Sequence, residues 1–165
     1  MPRKTQPRGI AFRKHDHRRC QRQLLSEAKQ LCAKRKLRLT SRRRQVFEIL
    51  LASHQPMGAY DILAAMNRAD DGERIAPPIV YRALDFLMGE GLIHRIESKN
   101  AFISCVQPGH RCAAQFLICR ECDQVAEFES MDKTLAAAAD NFGFAVDHSV
   151  VEITGVCAEC QKHAG

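Results

Sequence analysis

The sequence predicts an α+β protein built in two parts. A winged helix-turn-helix occupies residues 23–107 and a smaller α/β unit residues 108–165, behind a basic arm at 1–22. Three observations point there. Residues 1–44 hold 16 Lys+Arg against 2 Asp+Glu, a net of +14, whereas residues 45–165 hold 9 against 17, a net of −8. Helical periodicity through the front half gives way to a short hairpin pattern. Two Cys-x-x-Cys pairs, Cys119/Cys122 and Cys157/Cys160, then appear in the rear.

Taken in order, residues 1–22 read as a flexible arm. Arg3, Lys4, Arg8, Arg13, Lys14, Arg18, Arg19 and Arg22 are separated by Pro2, Pro7 and Gly9. Attraction to nucleic-acid phosphate is one role for it; a solvated tail or a targeting segment is another. From Gln23, Leu24, Ala28 and Leu31 recur at helical spacing, with Lys29, Lys34, Arg35 and Lys36 facing outward. Thr40 or Ser41 caps a second helix running through Ala52, with Val46, Ile49 and Leu50 inward. Ala59, Ile62, Leu63 and Met66 mark a third. Pro77-Pro78 opens a fourth, because proline at the first helical positions removes N–H groups that lack partners anyway. Val80, Ala83, Leu84 and Leu87 form its buried stripe; Pro78, Tyr81, Arg82 and Asp85 lie opposite. Leu92 to Glu97 and Ala101 to Val106 form the hairpin, turned by Ser98-Lys99-Asn100. Three helices, an exposed fourth and a hairpin describe a winged helix whose fourth helix enters a DNA major groove. In the rear, Gln115 to Cys119, Val125 to Glu129 and Ala145 to Ile153 read as strands. Ser130 to Phe142 reads as a helix closed by Gly143.

Composition removes whole classes of function. The longest apolar runs, Ile62 to Met66 and Leu135 to Ala139, are five residues, far short of a membrane span. With no secretory pattern at its start, a chain with eight cysteines is expected to keep them reduced in a cytoplasmic setting. Aromatic residues make up only 6% and tryptophan is absent, so the core is aliphatic.

The strongest chemical signal is the pair of Cys-x-x-Cys motifs. Each bite lets two sulfurs reach one tetrahedral ion, and four thiolates with no open position describe structural rather than catalytic zinc. Redox disulfides and a thioredoxin-like motif are the rivals. A looser group comprises His94, Cys105, His110, Cys112 and Glu127. Each alone is as readily a surface histidine, a small buried thiol or a solvated carboxylate. Together they offer nitrogen, sulfur and oxygen in a mixture that suits Zn²⁺.

Several segments resemble the ferric uptake regulator (Fur) family, and its zinc uptake regulator branch in particular. They are Leu39-Thr40-Ser41-Arg42-Arg43, Ala59-Tyr60-Asp61-Ile62-Leu63, the run Pro77 to Leu87 with Val80-Tyr81-Arg82-Ala83-Leu84 at its centre, and Phe116-Leu117-Ile118-Cys119 with the paired Cys-x-x-Cys. The likeness covers residues 23–160. It implies a homodimeric, zinc-responsive transcriptional repressor of zinc uptake and homeostasis genes, with a C-terminal dimerisation domain and two Zn²⁺ per subunit. By the same resemblance Cys119, Cys122, Cys157 and Cys160 hold structural zinc. His94, Cys105 and Glu127 hold regulatory zinc, completed by Cys112 according to position, with His110 as the alternative. Tyr60, Tyr81 and Arg82 match DNA-contacting positions and Arg43 is assigned to phosphate. The chain departs from the family pattern at Ile79, which stands in place of a threonine, and at Ser41, in place of a proline. Ala113-Ala114-Gln115-Phe116 lacks the histidine cluster of iron- and peroxide-sensing branches, which argues for zinc over iron or manganese.

The expected partners are an operator duplex and a second copy of the chain, with no membrane and no small-molecule substrate beyond the metal ion. The rival from another class is a zinc-dependent enzyme such as a nucleobase deaminase. That chemistry wants His-x-Glu ahead of Pro-Cys-x-x-Cys, and neither feature occurs. The expectation is therefore not an enzyme.

Overall fold

Asp16 begins the first helix, earlier than the periodicity suggested. A computed structural model of the chain describes residues 10–12, 16–69, 72, 74–109, 115–128, 133–147 and 149–163. Helix α1 spans His17–Lys34, and the Asp16 carboxylate accepts the Arg19 N–H at 3.1 Å. The segment 17–22, expected in a flexible arm, is therefore helical. Its buried stripe is Cys20, Leu24, Ala28 and Cys32 at strict i, i+4 spacing, with Leu31 half-buried beside it. Residues 10–12 form a 3₁₀ turn that touches the rear sheet, a second departure from a free arm. Arg35, expected to face outward, instead pairs with Glu90 at 2.6 Å and ties α1 to the end of the fourth helix.

Helix α2 (Ser41–Leu51) follows Thr40, which caps it through backbone geometry alone, without a side-chain bond. Val46, Phe47, Leu50 and Leu51 are buried there; Ile49, expected inward, is only half-buried. Helix α3 (Ala59–Ala69) buries Ile62 and Met66. Helix α4 (Pro77–Gly89) buries Val80, Ala83, Leu84 and Leu87, as its periodicity required. Strands β1 (Ile93–Ile96) and β2 (Ala101–Ser104) pair antiparallel, His94 opposite Ile103. Asn100 turns the hairpin at φ 47°, the left-handed region that asparagine tolerates better than most residues. Met57 bridges to β2, exchanging both backbone hydrogen bonds with Phe102 at 2.9 Å.

The rear unit is a three-stranded sheet of order β4-β3-β5. Strand β3 (Gln115–Cys119) is central, antiparallel to β4 (Val125–Phe128) and parallel to β5 (Val151–Gly155). Helix α5 (Lys133–Asn141) makes the crossover that a parallel pair needs, and Gly143 (φ +63°) turns the chain beyond its end. The expected third strand, Ala145 to Ile153, is shortened at its front. The ladder starts where Val151 faces Gln115, and the described residues from 145 to 150 join no strand. A short helix α6 (Ala158–His163), not expected from the sequence, carries Cys160 in its first turn.

Two apolar clusters hold the molecule. The larger joins α1–α4 to Leu92, Ile93 and Phe102. The smaller comprises Ile96 and Ile103 from the wing with Phe116, Ile118 and Val125 from the rear sheet. Wing and sheet thus share a core. Polar clasps surround it. The Glu152 carboxylate accepts the N–H groups of Glu97 and Ser98 at 2.6 and 3.1 Å. Lys99 pairs with Asp123 at 2.5 Å, the Gln55 amide donates to the Cys122 carbonyl at 2.8 Å, and the Val125 N–H donates to the His54 carbonyl at 2.9 Å.

Candidate metal centres and nucleic-acid interface

The four rear cysteines converge because two turns meet at the end of the sheet. Cys119 closes β3 and Cys122 follows on a turn that ends at Asp123 (φ 58°). Parallel pairing of Cys119 with Gly155 carries Cys157 alongside, and α6 brings Cys160 back. All four sulfurs lie within 4.8 Å of one another, with Cys122 and Cys157 3.9 Å apart. A tetrahedron with Zn–S bonds of about 2.3 Å has edges of about 3.8 Å, so the cluster has the right size for zinc.

Its electrostatics favour one thiolate. Burial would raise the Cys119 thiol, but N–H groups of Cys157, Cys122 and Glu121 and the Cys122 thiol draw it down to about 6. The Cys157 N–H approaches its sulfur at 3.3 Å. Cys160 is pushed up to about 12 by its hydrogen bond with Cys157, then by burial and the Cys119 thiolate. Cys122 is also raised, chiefly by burial. A coordinated cation releases such protons, since metal-bound thiols are deprotonated outright.

The second cluster spans the junction of the two parts. His94 stands on β1, Cys105 directly follows β2, and Glu127 lies on β4; their ligand atoms lie within 4.8 Å of one another. Phe116, opposite Glu127 in the β3–β4 ladder, meets the His94 ring edge-on at 5.4 Å and holds it in place. His94 Nε2 sits 3.2 Å from Glu127 Oε1, near the roughly 3.3 Å between nitrogen and oxygen ligands on one tetrahedral zinc. That nitrogen is buried and lacks hydrogen-bond geometry to any partner, a state buried polar atoms seldom keep unless something else satisfies them. The Cys105 thiol lies 3.9 Å from Glu127 Oε1, and the Val106 N–H donates to Oε2 at 3.1 Å. Burial opposes the Glu127 charge, yet His94, the Val106 N–H and Cys105 hold the carboxyl below the ordinary glutamate range. An imidazole nitrogen facing a carboxylate without good hydrogen-bond geometry, a buried thiol and that ionised carboxylate form a donor set that fits zinc. His110 and Cys112 fall outside the described residues.

The front surface presents Tyr60, Tyr81 and Arg82 to solvent from α3 and α4, the tyrosines 71% and 44% exposed. Arg43 differs from its companions. Its guanidinium stacks 3.6 Å over the Phe86 ring and donates to the Arg38 carbonyl at 2.8 Å, so it is held against the protein. The clasp residues Gln55, Lys99, Asp123 and Glu152 escaped the sequence reading. Each is a single polar residue whose partner is far along the chain, and no motif announces it.

The pattern that describes the ferric uptake regulator family matches residues 34–154. This chain belongs to the ferric uptake regulator family. Among Fur-family relatives, the zinc uptake regulation protein of Escherichia coli (strain K12) is 37% identical over 143 residues, covering 84% of this chain and 81% of that protein. A zinc uptake regulator solved with zinc and DNA superposes with a TM-score of 0.80 at 32% identity, covering 87% and 97% of the two chains. The regulator XcZur in its holo form gives 0.77 at 37% identity, covering 85% and 98%. Its apo form gives only 0.53 at 35% identity, covering 87% and 99%. The arrangement of wing and sheet seen here is therefore closer to the holo form of that relative. No helix among the described residues is long and apolar enough to cross a membrane.

Proposed function

We propose that this Fur-family chain is a zinc-responsive, DNA-binding transcriptional repressor of zinc uptake and homeostasis genes. It works in the cytoplasm as a homodimer and performs no catalysis. One observation carries the reading most. A zinc-suited donor set, His94, Cys105 and Glu127, is assembled only when the wing lies against the rear sheet. The likeness to zinc uptake regulators, and to the holo more than the apo form of one of them, supports the same conclusion.

Each subunit takes two zinc ions in this reading. Cys119, Cys122, Cys157 and Cys160 hold the structural one. His94, Cys105 and Glu127 hold the regulatory one, with Cys112, or alternatively His110, as the further ligand. Zinc bound there supplies a cross-link of positive charge that neutralises the Cys105 thiolate and the Glu127 carboxylate. The residues of the chain do the rest. The shared core and clasps position β1 and β2, and the wing in turn positions α4. Moving the population from mostly splayed to mostly closed requires a preference of roughly 5 kcal/mol for the closed state.

Two copies pair through the rear unit. Leu117 and Ile153 face each other in register on neighbouring strands and are exposed, and the rear unit also exposes Phe142 (88%), Phe144 (65%), Val146 and Val150. That much exposed apolar surface on one small unit favours a partner there. In the dimer the two α4 helices enter successive major grooves about 34 Å apart. Arg82 reads a guanine edge bidentately, Tyr81 and Tyr60 pack on bases or hold phosphate, and Arg43 supports the backbone contact. The basic arm and α1 add attraction without sequence preference, which falls steeply with salt.

Selection of random duplexes by the purified protein, with and without buffered zinc, tests this directly. Enrichment of a two-half-site sequence only with zinc is expected. Equal enrichment without zinc, or none with it, would refute the reading.

A further inference from the structure

The leading residues of α4 are unusually short of hydrogen-bonding groups. Ala76 caps the helix without a side-chain bond, and Pro77 and Pro78 have no N–H. The Ile79 N–H is already given to the Ala76 carbonyl at 3.0 Å. Residues 76–79 therefore offer no side-chain polar atom on the helix that also presents Tyr81 and Arg82. Ile79 is 38% exposed, while its neighbour Val80 is buried in the core, so an apolar side chain is partly open to solvent at the start of this helix.

We propose that Ile79 determines specificity by reading the 5-methyl group of one thymine in each half-site. The inference rests on the DNA-binding function proposed above. Among the groups that base pairs show in the major groove, the thymine methyl is the apolar one. A branched aliphatic chain with one preferred rotamer in a helix loses little freedom on meeting it. Position sharpens the assignment. Ile79 and Arg82 are three residues apart and so neighbours on the helix surface. A rise of about 1.5 Å per residue separates them by about 4.5 Å, a little more than the roughly 3.4 Å between stacked bases. The thymine accordingly lies about one base pair from the guanine that Arg82 reads.

The test uses the full-length, zinc-loaded protein and the duplex enriched by selection. Each thymine is replaced in turn by uracil, which keeps every pairing group and lacks only the methyl. One replacement per half-site, beside the Arg82-dependent guanine, is expected to weaken binding about fourfold, the worth of one buried methyl-sized group. Ile79→Ala should bind thymine and uracil duplexes alike at that position. A selected duplex with no methyl-sensitive thymine in the wild type overturns the inference and leaves the DNA-binding function standing. So does an Ile79→Ala protein whose uracil profile matches the wild type. Failure to enrich any duplex overturns the function and this inference together.

Discussion

The two cysteine-containing clusters have similar dimensions and opposite origins. The four-cysteine cluster draws all its sulfurs from one sheet end, brought together by backbone pairing of β3 with β5. The His94–Cys105–Glu127 cluster takes two groups from the wing and one from the rear sheet, and exists only because those parts share a core. A site made by local pairing can hold a fold together. A site made by the approach of two parts can report on that approach. In the function proposed above, one metal chemistry would serve stability or sensing according to whether its ligands move together.

The comparison breaks most severely at the four cysteines. Structural zinc contributes on the order of 10 kcal/mol to folding, so Cys119→Ser should cost several kcal/mol and lower the thermal midpoint by more than about 10 °C. Calorimetry and zinc analysis of the purified variant would check this; an unchanged midpoint would remove the structural role. Cys105→Ser should act oppositely. It should abolish zinc-dependent operator binding, by at least about 100-fold, while leaving a folded dimer with its four-cysteine zinc. An unaltered zinc response in a gel-shift titration would sink the junction as sensor.

Smaller effects sharpen the contrast. Arg82→Ala should weaken operator binding by about 1–3 kcal/mol and barely change binding to unrelated duplexes. Equal losses on both would reduce Arg82 to a phosphate contact. Glu152→Gln should produce the smallest change, a few-fold weaker operator binding as the wing tip loosens from β5. Its pH dependence has a definite sign. Burial opposes the Glu152 charge, but donors from Ser98 and Glu97 hold its carboxyl below the ordinary value. That stabilisation is present above the ordinary glutamate range and disappears as pH falls through the lowered one. Denaturant titrations of wild type and variant should therefore differ at neutral pH and converge in acid; a constant gap would mean that the Glu152 charge is not what holds the wing.

The sequence was legible where contacts are local. The α4 stripe follows its periodicity, β3 runs between the two ends expected of it, and the Cys-x-x-Cys bites are visible in the chain's order. Errors fell where local signals conflicted. Arginines at 18, 19 and 22 hid a helix whose Asp16 cap and Cys20–Leu24–Ala28–Cys32 stripe were readable. The strand expected from Ala145 starts only at Val151, and Val146 and Val150 ahead of it are exposed and join no ladder. The stacking of Arg43 on Phe86, from a helix more than thirty residues further along the chain, was likewise not visible in the order of residues.

Charge separation, the reading helix and the spacing of paired cysteines came from the chain's order alone, because each depends on residues a few positions apart. The residues of the junction site were named from the sequence, but its geometry, the clasps from Glu152 and Asp123, and the exposed apolar face around Leu117 and Ile153 came from tertiary structure. Glu127 is 33 residues from His94, and nothing in either neighbourhood encodes their 3.2 Å approach. That distance follows from burying Ile96 and Ile103 against Phe116, Ile118 and Val125, a gain realised only when wing and sheet meet.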